Sequence, residues 1–259
     1  MKTLKPSVEF IENDNVFKKI ELVGRISYKS EDKITEDSAK KFVKMLEEKG
    51  HGAPLEHGII YLVLNLSNPF KRKFVEFFET NPYSTVVISD NHAYITTNYR
   101  VVFENKLFEV MDWLSTRTEL HVQMFTFKFI CSRAIANEFV RHRKFSFMQE
   151  STRYCNYSKD KFNNEITCIE PTLLTEDNYR IWKEAMKNAE KSYMDLVKNE
   201  APQIARGVLP LDLKTELVMT GSLKDWADFL KLRSTKMNAK GVHPDAAYLA
   251  DKVFDKIFV

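Results

Sequence analysis

The stretch Arg141-His142-Arg143-Lys144-Phe145-Ser146-Phe147-Met148-Gln149-Glu150-Ser151-Thr152-Arg153-Tyr154 combines four cationic side chains, a histidine, hydroxyls, an amide and an acid with four large apolar or aromatic groups. A segment made only to fill a core is mostly apolar. A segment made only for solvent does not interleave Phe145, Phe147, Met148 and Tyr154 with charges. The alternation predicts a strand or extended turn with one apolar and one polar face. The polar face gathers forked Arg donors, hydroxyls and an imidazole, which suit phosphate and flat heterocycles. A surface strand with solvated charges has the same composition.

The remaining chain supplies a core for that strand. Hydrophobic residues make up 44% of 259 residues, with 19 Phe and only 7 Gly and 8 Pro, which excludes a low-complexity chain. Residues 7–28 read as a strand and short helix leading to Gly24-Arg25-Ile26-Ser27-Tyr28. A helix capped by Thr35 follows, with Ala39, Phe42, Val43 and Leu46 on one face and Gly50 as its stop. Ile59–Leu66 reads as a buried strand and residues 69–80 as an amphipathic helix. Val86–Ile88 and Tyr94–Val102 form an expected hairpin around Asp90-Asn91, and Glu104–Leu114 another helix. His121–Cys131 alternates as a core strand, and Ser132 caps a helix to about Arg141 that carries Glu138. Ile166–Ile169 reads as a short strand and Asp177–Asn199 as the longest helix, with Tyr179, Trp182, Met186, Ala189, Tyr193 and Leu196 on one face. Ser222 with Asp225 predicts a capped helix ending near Arg233. Pro244 opens a final helix bearing Leu249, Val253 and Ile257. The expected fold class is α+β, a mixed and largely antiparallel sheet flanked by helices, with a long helical C-terminal half. One domain, 1–259, is expected, with residues 67–118 a possible insertion.

Composition also bounds function. A net charge of +3 allows local attraction of anions but does not mark a DNA-binding protein. Cys131, Cys155 and Cys168 have no metal-type spacing and read as reduced cytosolic thiols. His51 and His57 flank Glu56, but Pro54 breaks the helix that a paired-histidine metal site would need, so no metal is expected. His57 reads as a hydrogen-bonded core histidine. No run reaches the ~18 apolar residues of a membrane helix, and Met1–Phe10 has no signal-peptide core, so a soluble, cytoplasmic protein is expected. Arg206 is a lone cation among apolar residues and calls for an anion, either a nearby carboxylate or a ligand.

Arg141-His142-Arg143, seven residues and then Ser151 resembles the signature of the flavin-dependent thymidylate synthases. The continuation through Gln149-Glu150-Ser151-Thr152-Arg153-Tyr154-Cys155-Asn156-Tyr157-Ser158 is similar to the longer members. His51, Pro54, Glu56 and His57 match a second stretch of that family, Ala205-Arg206 before Val208-Leu209-Pro210 a third, and Thr220–Arg233 a fourth. Thr97-Asn98-Tyr99-Arg100 is similar to a segment of the longer members. The resemblance covers most of the chain, with gaps at about 67–118 and 234–242. It implies reductive methylation of dUMP to dTMP, with methylenetetrahydrofolate as carbon donor and non-covalent FAD, reduced by NADPH, as hydride source. It further implies a homotetramer with shared active sites.

On this resemblance Glu138, Arg141, Gln149, Glu150, Ser151, Thr152, Arg153, Arg206 and Arg233 would hold dUMP, with Arg153 and Arg206 on its phosphate. Arg233 and Ser151 would carry the chemistry. Ser27, His51, Ala53, Arg141, His142, Arg143, Gln149, Ser222, Lys224 and Asp228 would hold FAD, with His51 as a stacking residue. Two positions depart from the pattern: Ser222 stands where Asn is common, and Asp228 where His or Asn is common. A carboxylate there would repel a reduced, anionic flavin. His243, delayed by the polar loop Lys231–Gly241, would replace a His that lies nearer Arg233 in short members. The alternatives are a nucleic-acid-binding module built on Arg141–Arg153, a methyltransferase with Cys155 as nucleophile, and a non-catalytic core strand.

Overall fold

The computed structural model describes residues 1–12 and 15–259; Asn13 and Asp14, inside the expected strand-helix unit 7–28, lie outside the described residues. β1 (Lys2–Leu4) and β2 (Ser7–Phe10) lead into α1 (Val16–Ile26) and α2 (Ser38–Glu48). β3 (Ile59–Asn65), α3 (Pro69–Thr80), β4 (Thr85–Ser89), β5 (His92–Asn98) and α4 (Tyr99–Glu104) follow. Next come β6 (Met124–Ser132), α5 (Arg133–Phe139), β7 (Ser146–Gln149), β8 (Thr167–Ile169) and α6 (Glu176–Leu196). The chain continues through α7 (Pro202–Ala205), β9 (Lys214–Ser222), α8 (Leu223–Arg233) and α9 (Pro244–Phe258). The fold is α+β.

The central sheet has the order β2-β6-β9-β7 and is antiparallel throughout. A second antiparallel sheet, β3-β5-β4, forms from the middle of the chain, and β1 pairs with β8 in parallel. Strand alternation gives the central sheet two different faces. Phe127, Phe129, Leu217 and Met219 join Phe139 of α5, Trp226 and Phe229 of α8 and Leu249 of α9 in one core. Val218 and Met148 pack with Ile11, Val23 and Ile26 on the α1 side. Both faces are thus covered. Trp226 is fully buried and meets Phe127 at 4.9 Å and Phe145 at 4.6 Å between ring centroids. A Cβ on Gly221 would come within 2.6 Å of the Phe145 ring, so the turn into β7 rests on bare backbone of β9.

Local signals explain most boundaries. Pro69 sits in the first turn of α3 and the Asn68 side chain accepts from the amides of Phe70 and Lys71. Asp90 and Asn91 both have positive φ, 48° and 60°, as a two-residue hairpin turn requires. Gly50, at φ 65°, closes α2. The expected buried face of that helix, Ala39, Phe42, Val43 and Leu46, is the observed one.

Three expected boundaries are corrected. Thr35 does not cap α2: the helix starts at Ser38, with Asp37 at the cap position, and the Thr35 amide donates to Ser38 Oγ at 2.8 Å. The second hairpin strand ends at Asn98, because its side chain accepts from the Val101 amide at 3.2 Å and starts α4. Residues 104–114 are not one helix; Phe108–Trp113 is a separate 3₁₀ segment, with Val110 as its buried anchor. Among the described residues no helix is long and apolar enough to cross a membrane.

Candidate functional site

The signature stretch is divided among three local structures. Arg141 and His142 follow the end of α5, Ser146–Gln149 form β7, and Ser151–Tyr154 form a turn in which the Tyr154 and Cys155 amides donate to the Ser151 carbonyl. The expected strand or extended turn thus divides into a four-residue strand and a turn that carries Arg153. Its interleaved Phe145 and Phe147 belong to the core around Trp226. Phe145 is buried in that core and Phe147 is partly buried against it.

Where α5 and α8 end together, three expected site residues meet. Arg233 Nη1 forms an ion pair with Glu138 Oε2, and its Nε donates to His142 Nε2 at 3.3 Å. The His142 ring also stands 4.9 Å from Phe229, edge to face. Burial, followed by the charge of Arg233, pushes the His142 pKa down, so the ring is neutral and able to accept.

The turn beyond β7 brings together a second group. Arg206 Nη1 donates to Thr152 Oγ1 at 3.4 Å. Arg153 is exposed, its guanidinium 5.5 Å from the Tyr154 ring. Neither Arg has a carboxylate within ion-pair distance among the described residues, so of the two anions open to Arg206 the nearby carboxylate is absent. The Ser151 amide donates to the Ser27 carbonyl at 3.0 Å, which ties this turn to the end of α1. Ser27 itself is buried, its hydroxyl donating to the Gly24 carbonyl.

Two expected nucleotide contacts are already engaged within the chain. Gln149 Nε2 donates to Thr215 Oγ1 at 3.3 Å. Glu150 is 2% exposed; it accepts from Lys214 Nζ at 2.7 Å and from the Tyr157 hydroxyl at 3.1 Å. Lys214 also bonds Glu216, which pairs with Lys29, and Lys29 reaches Glu31. Burial alone would push the Glu216 carboxyl up, but Lys214 and Lys29 outweigh it and hold the pKa below its ordinary value. Sequence reasoning missed Lys214, Glu216, Lys29 and Tyr157. The only signal was the spacing of Lys214 and Glu216 on one strand face, which means nothing until the register with β7 is known.

Ser27, His142 and Gln149, three of the expected flavin residues, belong to the groups above. Ser222 and Lys224 line a cavity of about 840 Å³ with Lys144, Tyr83, Ser84 and Thr97. Ser222 caps α8 reciprocally with Asp225. Asp228 bonds Lys144 at 3.5 Å and Lys231 at 3.4 Å, and the Lys231 contact leads in holding its pKa low. Arg141 and Arg143 are exposed, with no ion-pair partner among the described residues. His51 and Ala53 are exposed beside the Ala53–His57 3₁₀ turn. His57 is fully buried, 2.7 Å from Thr220 Oγ1 through Nδ1, and burial pushes its pKa down to about 3; it is the core histidine expected. His243 caps α9, its Nδ1 accepting from the Asp245 amide.

The cysteines are buried. Burial, followed by the charge of Glu150, pushes the Cys155 thiol up to about 12, so almost no thiolate exists at neutral pH.

Comparison with known proteins agrees with the signature. A flavin-dependent thymidylate synthase from Synechocystis sp. is 28% identical over 147 residues, 51% of this chain and 66% of that protein. One from Pyrococcus abyssi is 34% identical over 106 residues, 40% of this chain and 43% of that protein. A probable flavin-dependent thymidylate synthase from Paramecium bursaria Chlorella virus 1 is 29% identical over 142 residues, 49% and 64% respectively. The chain thus matches less than two thirds of the length of each of these relatives. A UMP/dUMP methylase from Streptomyces cacaoi, solved with 5-Br dUMP, aligns over 99% of this chain and 91% of its own at TM-score 0.49 and 17% identity. The family model described as thymidylate synthase complementing protein matches residues 94–257, more than half of the chain, from within β5 to within α9. The chain belongs to the Thy1 family of thymidylate synthase complementing proteins.

Proposed function

We propose that this chain is a flavin-dependent thymidylate synthase that converts dUMP to dTMP with methylenetetrahydrofolate as carbon donor and NADPH as reductant. The observation that carries the reading is the family match across 94–257 together with three guanidinium groups, of Arg153, Arg206 and Arg233, on the elements around the signature.

The chain's donor set fits the ligands this activity needs. Arg153 and Arg206 are forked donors without a carboxylate partner, suited to a phosphate. Ser151 and Thr152 supply hydroxyls beside them. Arg233 provides a fixed cation where negative charge spreads over N3 and O2 of a pyrimidine as C5 becomes nucleophilic. Preorganised charge of this kind stabilises the transition state with no reorganisation at the moment of reaction. The flavin is taken to be FAD. Arg141 and Arg143, with no ion-pair partner among the described residues, suit the dianionic pyrophosphate of such a cofactor, Ser222 and Lys224 lie on the 840 Å³ cavity, and His51 and Ala53 are free to face a neighbouring subunit. Bound flavin would supply the hydride that no side chain can. Asp228 is neutralised by two lysines, which relieves the repulsion a bare carboxylate would exert on a reduced flavin.

The assembly is read as a homotetramer. Ile204, Leu211, Leu173 and Ile181 are all at least 60% exposed, and Ile204 lies two residues before Arg206 in the chain, so a second copy docked over it would adjoin the phosphate site. The whole chain is read as one enzyme domain, with residues 67–118 an insertion.

The test is direct. Heat-released supernatant of the purified protein should contain FAD, and the protein with dUMP, methylenetetrahydrofolate and NADPH should form dTMP. A colourless protein that takes up no FAD and forms no dTMP refutes the reading.

A further inference from the structure

We propose that Glu138 is a positioning residue, which together with the His142 ring grips the Arg233 guanidinium on two sides and aims its remaining N–H groups at the pyrimidine. The inference rests on the function proposed above.

A guanidinium has five N–H donors in one plane. In Arg233 one Nη1 donor is taken by Glu138 and the Nε donor by His142. Three donors remain, two of them on Nη2, which neither partner touches. Arg233 ends α8, and the last turn of a helix would otherwise leave a long side chain free to sample many rotamers. Here it is 20% exposed and held from α5 and from the loop after it.

The two grips are fixed to the same core. Phe139, beside Glu138, meets Phe229 edge to face at 5.1 Å, and the His142 ring meets the same Phe229 at 4.9 Å. Phe229 lies one helical turn before Arg233 on α8. The spacing between the helix ends is therefore set by packed rings, and the carboxylate and imidazole set the plane of the guanidinium. His142 can serve only as a neutral acceptor at Nε2, with its proton on Nδ1. Glu138 supplies charge without needing to touch the nucleotide.

A merely structural tie between α5 and α8 would be read in stability. A positioning role is read in Arg233 itself and in turnover. In protein carrying ¹⁵N-labelled arginine, the Arg233 Nε–H resonance, identified by its absence in Arg233→Lys, should be sharp and protected in the wild type. It should broaden or vanish in Glu138→Ala and return in Glu138→Gln. The kcat for dTMP formation should fall about tenfold to a hundredfold in Glu138→Ala, as misplacement by about an ångström can do, with KM for dUMP changed less than threefold. Glu138→Gln should regain most of the lost rate. Flavin reduction by NADPH and the thermal midpoint of Glu138→Ala should stay near wild type. A protected resonance in Glu138→Ala, wild-type kcat in that variant, or an effect mainly on KM or on the thermal midpoint would overturn the role. A wild-type protein that forms no dTMP would instead overturn the functional reading on which the role depends.

Discussion

The Tyr157 hydroxyl donates to Glu150 Oε1 at 3.1 Å, inside the protein. The carboxylate is closed off from solvent at the point where β7 gives way to the turn carrying Ser151, Thr152 and Arg153. Its other oxygen is met by Lys214. Replacing Lys214 by Met should leave Glu150 without a cation and cost about 3–5 kcal/mol of stability, the penalty for an orphaned buried charge. Adding Glu150→Gln to that variant should recover part of the loss. Chemical denaturation of the single and double variants measures both; additive losses would mean the two side chains are not coupled.

Stability should also fall on mild acidification through His57. Its folded pKa lies near 3, while the unfolded ring titrates near 6.5. As pH drops below about 6.5 the unfolded state takes up a proton that the folded state refuses, so stability is lost between about 6.5 and 3. His121 and His142 shift in the same direction, each chiefly through burial. His57→Gln should lower stability at pH 8, through weaker packing on Thr220, yet flatten the slope between pH 6 and 5 by up to about 1.4 kcal/mol per pH unit. An unchanged slope in denaturation at several pH values would refute the assignment.

Arg206→Ala should weaken dUMP binding by about 1.5–3 kcal/mol, the worth of a charge-assisted hydrogen bond, and leave FAD binding near wild type. Titration of each ligand by calorimetry checks this. Equal loss of both would assign Arg206 to assembly or folding.

Replacing Cys131, Cys155 and Cys168 together by Ser or Ala should leave dTMP formation within about tenfold of wild type, or about 1.4 kcal/mol of barrier. The reason is the thiol of Cys155, pushed up to about 12 by burial and the nearby charge of Glu150, which leaves almost no thiolate at neutral pH. If Cys155→Ser alone stops turnover while dUMP and FAD still bind, a covalent route replaces the proposed one.

The features legible in the sequence were those whose signal is local. Ser222 and Asp225 cap α8 as their spacing demands, residues 69–80 form α3, and the Asp90-Asn91 turn joins β4 to β5. The misread boundaries arose where two local signals competed: Tyr94–Val102 continues an alternating pattern, but Asn98 is also a cap, and the cap won. Contacts set by tertiary register were not legible. Lys214 and Gln149 meet their partners only because β7 and β9 pair with Gln149 opposite Leu217, a register that nothing within either strand dictates. Glu138 and His142 could be listed as candidates from the signature, but their shared hold on Arg233 depends on α5 and α8 ending side by side.

Strand β9 lies between β6 and β7, and Thr220 bonds Thr126, 94 residues earlier in the chain. During synthesis on the ribosome, β6 and β7 both emerge before the strand that joins them. Each must wait, with an unpaired edge, while the long α6 is made. Nascent chains stalled between residues 150 and 214 are therefore the ones most exposed to edge-to-edge association. The same placement makes sheet closure a late step, since so distant a pairing must overcome its loop entropy before it gains any hydrogen bonds.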